Sequence, residues 1–379
     1  MIDVIIPVYK GLAQTRRCID SVLANHQATP VEIVAVDDAS PEADIASYLD
    51  ELAAGKRITL VRNARNLGFV QSVNRGMSLH ADRDVVLLNS DTEVANDWLD
   101  RLCRSAYAYP EVGTVTPFSN NATICSYPFE GWLGGVPGTL GVAELDRLFA
   151  STNAGHTVDL PTAVGFCMLI RRACLDQIGP FDAERFGRGY GEENDFCMRA
   201  AGAGWRNVLA GDVFVYHEGA VSFSGERREL TASAGKTLME LYPDYVPKVR
   251  EYVRRDPAGA LRAAVDNARI ALRSEELGHV LAERLEERAW LKARLVEAEI
   301  YADEREPLIA KLRKGLALAE TLLAERDAEI ERLRSGLAHA EKLAFERADE
   351  LRELQKSWIW KARLFMARKK ARGAPHPPA

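Results

Sequence analysis

The chain of 379 residues is longer than one ordinary hydrophobic core, and its length predicts two or more domains. The formal net charge of −6 is mild and gives no overall case for nucleic-acid binding. The N-terminus lacks the basic start and long apolar core of a signal peptide, and no apolar stretch approaches the roughly 20 residues that cross a bilayer. Six cysteines without paired spacing favour reduced thiols. We therefore expect a cytoplasmic protein that binds no nucleic acid.

Strands and helices alternate along the first part of the chain. The apolar spacing predicts strands at 4–8, 31–36, 59–61 and 84–89, and helices at 15–24, 44–54 and 70–78. This is a doubly wound α/β pattern, in which ligands bind at the carboxyl ends of the parallel strands.

Polar residues follow three of these predicted strands directly. The set comprises Pro7 and Tyr9 after the first strand, Asp37 and Asp38 after the second, and Asn89, Ser90 and Asp91 after the fourth. Because parallel strands end at one edge of a sheet, these side chains are expected to share one crevice. Taken alone, Asp38 is equally compatible with a helix N-cap or an Asx-turn.

Three carboxylates, those of Glu192, Glu193 and Asp195, lie within four residues, and His217 follows in Val-Tyr-His-Glu-Gly after one predicted helix. A carboxylate cluster at a helix start is often only a solvated turn that complements the helix dipole. His217 alone is also compatible with a core position beneath a strand. Together, the acidic cluster and the histidine supply residue types suited to a base and a metal ligand.

Six motifs in this order resemble those of family 2 glycosyltransferases with the GT-A fold, over residues 1 to about 225. The matching segments are Ile5-Ile6-Pro7-Val8-Tyr9, Val36-Asp37-Asp38-Ala39-Ser40, Asn66-Leu67-Gly68-Phe69 with Asn74 and Gly76, Leu87-Leu88-Asn89-Ser90-Asp91-Thr92, Gly191-Glu192-Glu193-Asn194-Asp195, and His217 with Gly219 and Ser222. The resemblance implies a Rossmann-like mixed sheet that binds a nucleotide-sugar.

Within this resemblance, Asp91 and His217 are expected to bind Mn²⁺ or Mg²⁺, which neutralises the leaving diphosphate. Asn89 stands where the family's DxD motif has its first Asp, so we place it behind the metal ligands or on the ribose. Glu193 is the expected base toward the acceptor hydroxyl, Glu192 the contact to a sugar, and Asp195 the cap of the following helix. The assignment of the base to Glu193 or to Glu192 stays open at this point. A single base implies inversion at the anomeric carbon.

The same resemblance implies a nucleotide site. Tyr9 would stack on the base, Asp38 would accept from a uracil or thymine imide, and Asp37 would bind the ribose, so UDP or dTDP donors are favoured. The remaining members of the expected nucleotide-sugar set are Pro7, Arg62, Asn66, Gly68, Asn74, Asn89, Ser90 and Gly165. The loop at 129–141, with Trp132, is expected to stack on a sugar, to act as a lid, or to be a plain surface loop.

The composition changes after about residue 252 to Ala, Leu, Glu and Arg, which predicts a helical second half. We expect an α/β domain at 1–252, a helical linker region at 253–306, a coiled coil at 307–358 and a basic aromatic tail at 359–379 with a disordered end. Apolar residues of the third segment repeat at alternating intervals of three and four. The seam comprises Ile309, Leu312, Leu316, Ala319, Leu323, Arg326, Ile330, Leu333, Leu337, Ala340, Ala344, Arg347, Leu351, Leu354 and Trp358.

The seam predicts a homo-oligomer, with a parallel dimer ahead of a trimer. The tail at 358–370 combines tryptophans with basic residues, which favours peripheral contact with the inner face of the plasma membrane. The alternative for this tail is a coiled-coil terminus with a solvated basic end.

The sequence thus predicts an inverting, metal-dependent glycosyltransferase that moves a sugar from a nucleotide-sugar to a glycan acceptor, carried on a lipid, in the synthesis of a cell-surface polysaccharide such as an O-antigen. A nucleotidyltransferase is the first alternative, although Tyr9-Lys10-Gly11 is too short for its Gly-rich triphosphate loop. The second is a catalytically weak domain presented by a coiled-coil scaffold, which only Asn89 suggests.

Overall fold

A computed structural model of the protein describes residues 1–219, 227–300, 306–356 and 358–372. The chain divides into two compact units, Met1–Glu287 and Arg288–Ala379. The first unit is an α/β domain with helices packed onto it, and the second is helical.

The main sheet of the first unit has eight strands in the order β3-β2-β1-β4-β8-β6-β9-β7. These strands are β1 Ile2–Val8, β2 Val31–Asp37, β3 Thr59–Arg62, β4 Asp84–Leu88, β6 Val112–Phe118, β7 Thr157–Leu160, β8 Cys167–Ile170 and β9 Arg206–Phe214. A second sheet pairs the short strands β5 Thr92–Glu93 and β10 Tyr216–His217.

Helices connect these strands and continue after them. They are α1 Leu12–Ala24, α2 Ala43–Ala54, α3 Phe69–Met77, α4 Trp98–Ala106, α5 Val142–Thr152, α6 Arg172–Ile178, α7 Ala183–Phe186, α8 Glu192–Gly202, α9 Arg227–Leu241, α10 Tyr245–Arg255, α11 Gly259–Leu272 and α12 Glu276–Ile300. The boundary between the two units falls inside α12.

The first four long strands are parallel, whereas β8 runs antiparallel to both of its neighbours, β4 and β6. The predicted mixed α/β sheet is therefore confirmed. Because two antiparallel steps separate β4 from β6, the carboxyl ends of β1, β2, β4 and β6 open at the same edge of the sheet.

Strand β1 is buried on both faces, since helices cover the sheet on both sides. Ile6 packs with α1 and α2 in one apolar cluster, whereas Ile5 packs in the other with Val73 of α3 and Phe196 of α8. The alternation of side chains along a strand thus feeds two separate cores. Apolar packing on both faces thus fixes the strand whose carboxyl end carries predicted site residues.

The second unit contains α13 Glu306–Lys356, a helix of 51 residues, and α14 Trp358–Arg372. The predicted long helical extension is therefore confirmed. Along α13 the seam positions from Leu312 to Ile330 are half-buried or buried, whereas those from Leu333 to Leu354 are exposed. Among the described residues, no helix combines the length and the apolar character that a membrane span requires.

The close packing of α3 on β1 leads to a stability prediction. A Cβ atom placed on Gly76 would lie 2.6 Å from Cγ2 of Ile5, so Gly76→Ala should overpack the core. Overpacking of this kind lowers the free energy of unfolding by about 1–3 kcal/mol. The better helix propensity of alanine offsets roughly 1 kcal/mol of that loss. Urea denaturation of the two chains measures the difference.

Gly235 of α9 supplies the matched control. A Cβ atom there would meet no heavy atom within 4 Å, so Gly235→Ala gains helix propensity without a clash. This variant should be more stable than the native chain by up to about 1 kcal/mol. Equal effects of the two substitutions would contradict the close approach of α3 to β1.

Candidate active site

The predicted polar residues lie at the carboxyl edge of the main sheet. The backbone amide of Asp38 donates to the carbonyl of Val8 over 2.8 Å, and that of Asn89 donates to the carbonyl of Phe166, also over 2.8 Å. Loops after β1, β2 and β4 and the residues before β8 therefore meet at one place. Pro7, Tyr9, Asn89 and Ser90 are all half-buried at this edge.

Asp91 and His217 face each other beside the small sheet. The Oδ1 atom of Asp91 lies 3.4 Å from Nε2 of His217, and both side chains are about 15% exposed. The backbone amide of Gly219 donates to Oδ2 of Asp91 over 3.1 Å. Burial alone would raise the pKa of Asp91, but the hydrogen bond and charge of His217, together with the Gly219 amide, outweigh it and lower that pKa.

The environment of His217 selects one tautomer. Its Nδ1 lies 2.7 Å from the carbonyl oxygen of Asn121 and must donate, because a carbonyl only accepts. In the neutral ring Nε2 is then unprotonated toward Asp91, whereas in the protonated ring it donates to Asp91 and lowers the pKa of that carboxyl. Two acceptors facing each other at 3.4 Å need a shared proton or a cation between them. This donor set, one carboxylate and one oriented imidazole, fits a divalent metal ion.

Asn120 fixes the backbone of His217, and the sequence had not assigned it a role. Its Oδ1 accepts from the His217 amide over 2.8 Å, and its Nδ2 donates to the His217 carbonyl over 2.9 Å. The side chain thus pairs with the histidine backbone as a neighbouring strand would. Its position just after the buried strand β6 is the signal that could have identified it, because Asp38 and Asp91 follow their strands in the same way.

Glu192 and Glu193 begin helix α8 and form a buried acidic pair. Within the part of the chain that the structure describes, Oε2 of each is buried and has no hydrogen-bond partner. Burial raises the pKa of both, and the charge of Glu193 raises that of Glu192 further. Glu192 is 5% exposed, whereas Glu193 is half-buried, so Glu193 is the more accessible of the two.

Two neighbouring residues join the acidic pair to the Asp91–His217 pair. A Cβ atom on Gly165 would lie 3.8 Å from Cβ of Glu193, and the next ring in the chain, Phe166, stacks on His217 with centroids 5.2 Å apart. Two consecutive residues thus lie between the acidic pair and the Asp91–His217 pair, one beside each. Asp195 lies inside the first turn of α8 and binds Arg199 over 2.8 Å, so it does not cap that helix.

Asp38 holds the loop that precedes α3. Its Oδ1 accepts from Asn63 and from the amide of Leu67, and its Oδ2 accepts from the amide of Gly68, over 2.7–2.9 Å. The side chain is 5% exposed. Asp38 therefore fixes the loop at Leu67 and Gly68. Its predicted contact with a uracil or thymine imide stays a prediction.

Asp37 and Arg62 form an ion pair, with Nε of Arg62 2.8 Å from Oδ2 of Asp37. The other carboxylate oxygen of Asp37 accepts from the amide of Ser40. Arg62 also reaches Asp50 at 3.2 Å and remains exposed. The roles predicted for Asp37 on the ribose and for Arg62 on a phosphate or base stay predictions.

Asn66 and Asn74 have different surroundings. Asn66 accepts from Arg188 over 2.9 Å, which ties its loop to the residues just before α8. Asn74 donates to the carbonyl of Phe181 and accepts from its amide, so it joins α3 to the chain before α7. We find no contact that brings Asn74 to the crevice among the described residues.

Asp3, Glu32 and His80 form a second cluster of metal-ligating residue types. Asp3 and Glu32 lie near the starts of β1 and β2, at the edge of the sheet opposite Asp91. Nη1 of Arg83 lies 2.9 Å from Asp3 and 2.5 Å from Glu32, so a guanidinium already neutralises these carboxylates. This cluster is an ion-pair network and not the predicted metal site.

The chain is similar to known proteins over the segment that contains this edge of the sheet. Residues 3–179 match the family model of glycosyl transferase family 2. The segment from β1 to α6 is therefore similar to glycosyl transferase family 2. The matched residues include Asp91 and Gly165, whereas Glu193 and His217 lie after them.

Two curated relatives show the range of similarity. An uncharacterized protein of Sinorhizobium fredii is 25% identical over 235 residues, which are 59% of this chain and 25% of that protein. N-acetylglucosaminyl-diphospho-decaprenol L-rhamnosyltransferase of Mycobacterium tuberculosis is 25% identical over 223 residues, 51% of this chain and 68% of that protein. The chain thus spans about a quarter of the first relative and two thirds of the second.

Solved structures give similarities of lower identity. GalNAc-T7 with UDP, GalNAc and Mn²⁺ is 19% identical with a TM-score of 0.48, covering 69% of this chain and 51% of that one. The mannosyltransferase PcManGT of Pyrobaculum calidifontis, in complex with GDP-Man and Mn²⁺, is 17% identical with a TM-score of 0.48. The match covers 84% of this chain and 86% of that one.

The raised pKa of Glu192 predicts that replacing this carboxyl with a neutral amide stabilises the folded chain, by an amount that depends on pH. A carboxyl whose pKa is higher in the folded chain costs stability as the pH rises through that value. Glu192→Gln should therefore match the native chain below pH 4.5, the ordinary pKa of Glu, and exceed its stability increasingly at higher pH. Melting temperatures from acidic to alkaline pH measure this difference.

Glu218→Gln is the control of opposite sign. Hydrogen bonds from Arg17 and Gln14 lower the pKa of Glu218, so its ionised form stabilises the folded chain. Glu218→Gln should lose stability above the ordinary pKa of Glu and converge with the native chain in acid. Parallel pH profiles for the two variants would contradict the assignment of an unpaired, buried Glu192.

Proposed function

We propose that this domain transfers a sugar from a nucleotide-sugar donor to a hydroxyl of a glycan acceptor, with inversion, during the synthesis of a cell-surface polysaccharide. The observation that carries the proposal is the contact path from Glu193 through Gly165 and Phe166 to His217 and Asp91. A base and a metal-binding pair adjoin in one site, as transfer from a diphosphate donor requires.

The metal pair supports the donor half of the reaction. Asp91 Oδ1 and His217 Nε2 would hold Mn²⁺ or Mg²⁺, which when bound supplies Lewis-acid stabilisation of the departing diphosphate. Asn121 keeps Nδ1 of His217 protonated, so Nε2 presents its lone pair to the site. Asp91 stays ionised because its pKa is lowered.

The acidic pair supports the acceptor half. Glu193 is half-buried and faces Gly165, where the missing side chain leaves room for a sugar to approach its carboxylate. Its raised pKa brings it closer to the operating pH of a general base. Glu192 is more deeply buried, and its charge repels that of Glu193. We therefore assign proton removal from the acceptor hydroxyl to Glu193 and sugar binding to Glu192.

The donor and acceptor classes are proposed on different grounds. Tyr9 and Asp38 at the carboxyl ends of β1 and β2 favour a UDP or dTDP donor, with Asp37 on the ribose. The curated Mycobacterium tuberculosis relative carries a diphospho-decaprenol acceptor in its name, which supports a lipid-linked glycan acceptor here. Such an acceptor also fits the basic aromatic segment of α14.

Site variants test this function directly. Binding and hydrolysis of UDP-, dTDP- and GDP-sugars are measured with Mn²⁺ or with EDTA, for the native chain, Asp91→Ala and Glu193→Gln. Asp91→Ala should lose metal-dependent donor binding. Glu193→Gln should keep binding while turnover falls about 10²- to 10⁴-fold, the usual contribution of a general base.

Asp159→Ala on the edge strand β7 is the matched control, because this carboxylate is exposed and pairs only on the surface with Arg206. It should keep both donor binding and turnover. The product should carry the anomeric configuration opposite to the donor, which NMR determines. Absence of metal-dependent donor binding in the native chain would refute the proposal and favour the coiled-coil scaffold.

We also propose that the chain self-associates through the distal half of the α13 seam. Leu333, Leu337, Leu351 and Leu354 are each more than half exposed and belong to the seam, whose positions repeat at intervals of three and four residues. A single helix with so regular an apolar stripe buries it against a second helix, and heptads of this kind favour a parallel dimer. The basic aromatic segment remains a predicted membrane contact, since the side chains of 358–360 and the residues 373–379 lie outside the described part.

Leu337→Lys tests this self-association. A charge at the seam should shift the chain from dimer to monomer in sedimentation velocity, because a buried lysine is costly at such a position. Phe345→Lys is the control, since Phe345 is 65% exposed and lies one residue beyond the seam position 344. That variant should remain dimeric. A monomeric native chain would contradict the predicted coiled coil.

A further inference from the structure

Helices α11 and α12 hold the segment 127–139, which we name the clamped loop. We propose that the buried charge cluster around Arg269 is a positioning device for His217, acting through this loop. The helices beyond the family-matched residues 3–179 would then be part of the catalytic unit. This inference rests on the proposed metal role of Asp91 and His217.

The centre of the cluster is Arg269, which is fully buried. Its Nε donates to Glu276 over 2.9 Å, and its two terminal nitrogens contact Glu283 over 2.7 and 2.8 Å. Nη1 also donates to the hydroxyl of Tyr127 over 3.0 Å. A buried guanidinium with this many charged partners has one arrangement of lowest energy. The cluster is therefore a rigid anchor.

Both ends of the clamped loop attach to this anchor. At the first end, the hydroxyl of Tyr127 donates to Asp266 over 2.7 Å. At the other end, the amide and hydroxyl of Thr139 both donate to Oε1 of Glu276, over 2.7 and 2.6 Å. Gly138 has a φ of +73°, and a Cβ there would lie 2.1 Å from Glu276. The loop therefore seats closely against the cluster.

The middle of the clamped loop reaches His217 through two asparagines. The carbonyl of Gly134 accepts from Nδ2 of Asn120 over 2.7 Å, and the same nitrogen donates to the carbonyl of His217. Leu133 forms a β-bridge with Asn121, whose carbonyl accepts from Nδ1 of His217. A shift of the loop would move both contacts that set the backbone position and the tautomer of the histidine.

Removal of Arg269 would leave Glu276 and Glu283 without their buried cation, whereas Asp266 would keep its ion pair with Arg284. Buried charges that lose a partner rearrange or take up protons, and the residues they hold move with them. Tyr127 would then lose one of its two partners, and Glu276, which holds Thr139, would lose its cation, so the clamped loop would be held less firmly. We therefore expect the consequences at His217, although its ring makes no contact with Arg269.

The experiment compares Arg269→Met and Tyr127→Phe with the native full-length chain. Nitrogen NMR of the metal-free protein, with labelled histidine, reports the tautomer of His217, whose signals are absent from His217→Gln. We expect the Nδ1-protonated form to dominate in the native chain and to give way to a tautomer mixture in both variants. Mn²⁺ binding measured by EPR should weaken about 10- to 100-fold, the usual effect of losing a ligand's orienting partner.

Arg83→Met is the matched control, because it also removes the cation of a fully buried carboxylate, that of Asp3, but at the opposite edge of the sheet. It should lower the melting temperature while the His217 signals and Mn²⁺ affinity stay native. Native-like signals in the Arg269 and Tyr127 variants would overturn the inference. If Arg269→Met does not fold, Tyr127→Phe decides, since it removes a single hydroxyl.

The two readouts separate the failure of this inference from that of the proposed function. A native chain that binds no Mn²⁺ would refute the metal role of Asp91 and His217. The tautomer of the metal-free protein would still decide whether the Arg269 cluster positions His217. Unchanged NMR signals in both variants, with Mn²⁺ binding intact, would refute the positioning role alone.

Discussion

The approach of Asp91 to His217 is the contact on which the rest of the site depends. It joins the end of β4 to the short strand β10, which lie 126 residues apart in the chain, and it places two acceptor atoms 3.4 Å apart in a mostly buried setting. Such an arrangement is costly without a proton or a cation between the two atoms. Much of the surrounding structure serves to hold it, from the pairing of β5 with β10 to the side chain of Asn120.

The Glu192–Glu193 pair is also costly to the stability of the folded chain, as is the Asp91–His217 contact. Glu192 and Glu193 bring two carboxyl groups into a buried position, where the described residues offer no partner to one oxygen of each. Burial raises their pKa values and disfavours the charged forms. An interior selected for stability alone would neutralise or expose these groups. Their place beside Gly165 accounts for the arrangement if they act on a substrate that enters there.

Helices α11 and α12 follow the segment that matches the family model, and they hold a loop that contacts two residues beside His217. A buried arginine at position 269 gathers carboxylates from α11 and α12 and attaches both ends of the loop at 127–139. That loop meets Asn120 and Asn121, which hold the histidine. The compact unit therefore continues to Glu287, through helices that have the composition of a simple extension. Buried charges, and not apolar packing alone, attach these helices to the loop.

Sequence by itself determined the alternation of strands and helices, the mixed α/β fold class, the long helix and the placement of Asp91 and the Glu192–Glu193 pair at strand and helix ends. These features are local or periodic, so spacing and motif order reveal them. Only the tertiary structure decided which atoms face which. The carboxylate of Asp38 accepts hydrogen bonds from a loop. Asn120 pairs with His217, 97 residues further along the chain, and Arg269 binds Tyr127, 142 residues earlier. Such partners depend on the folded path of the chain, because no periodicity relates residues that meet only when distant elements pack together.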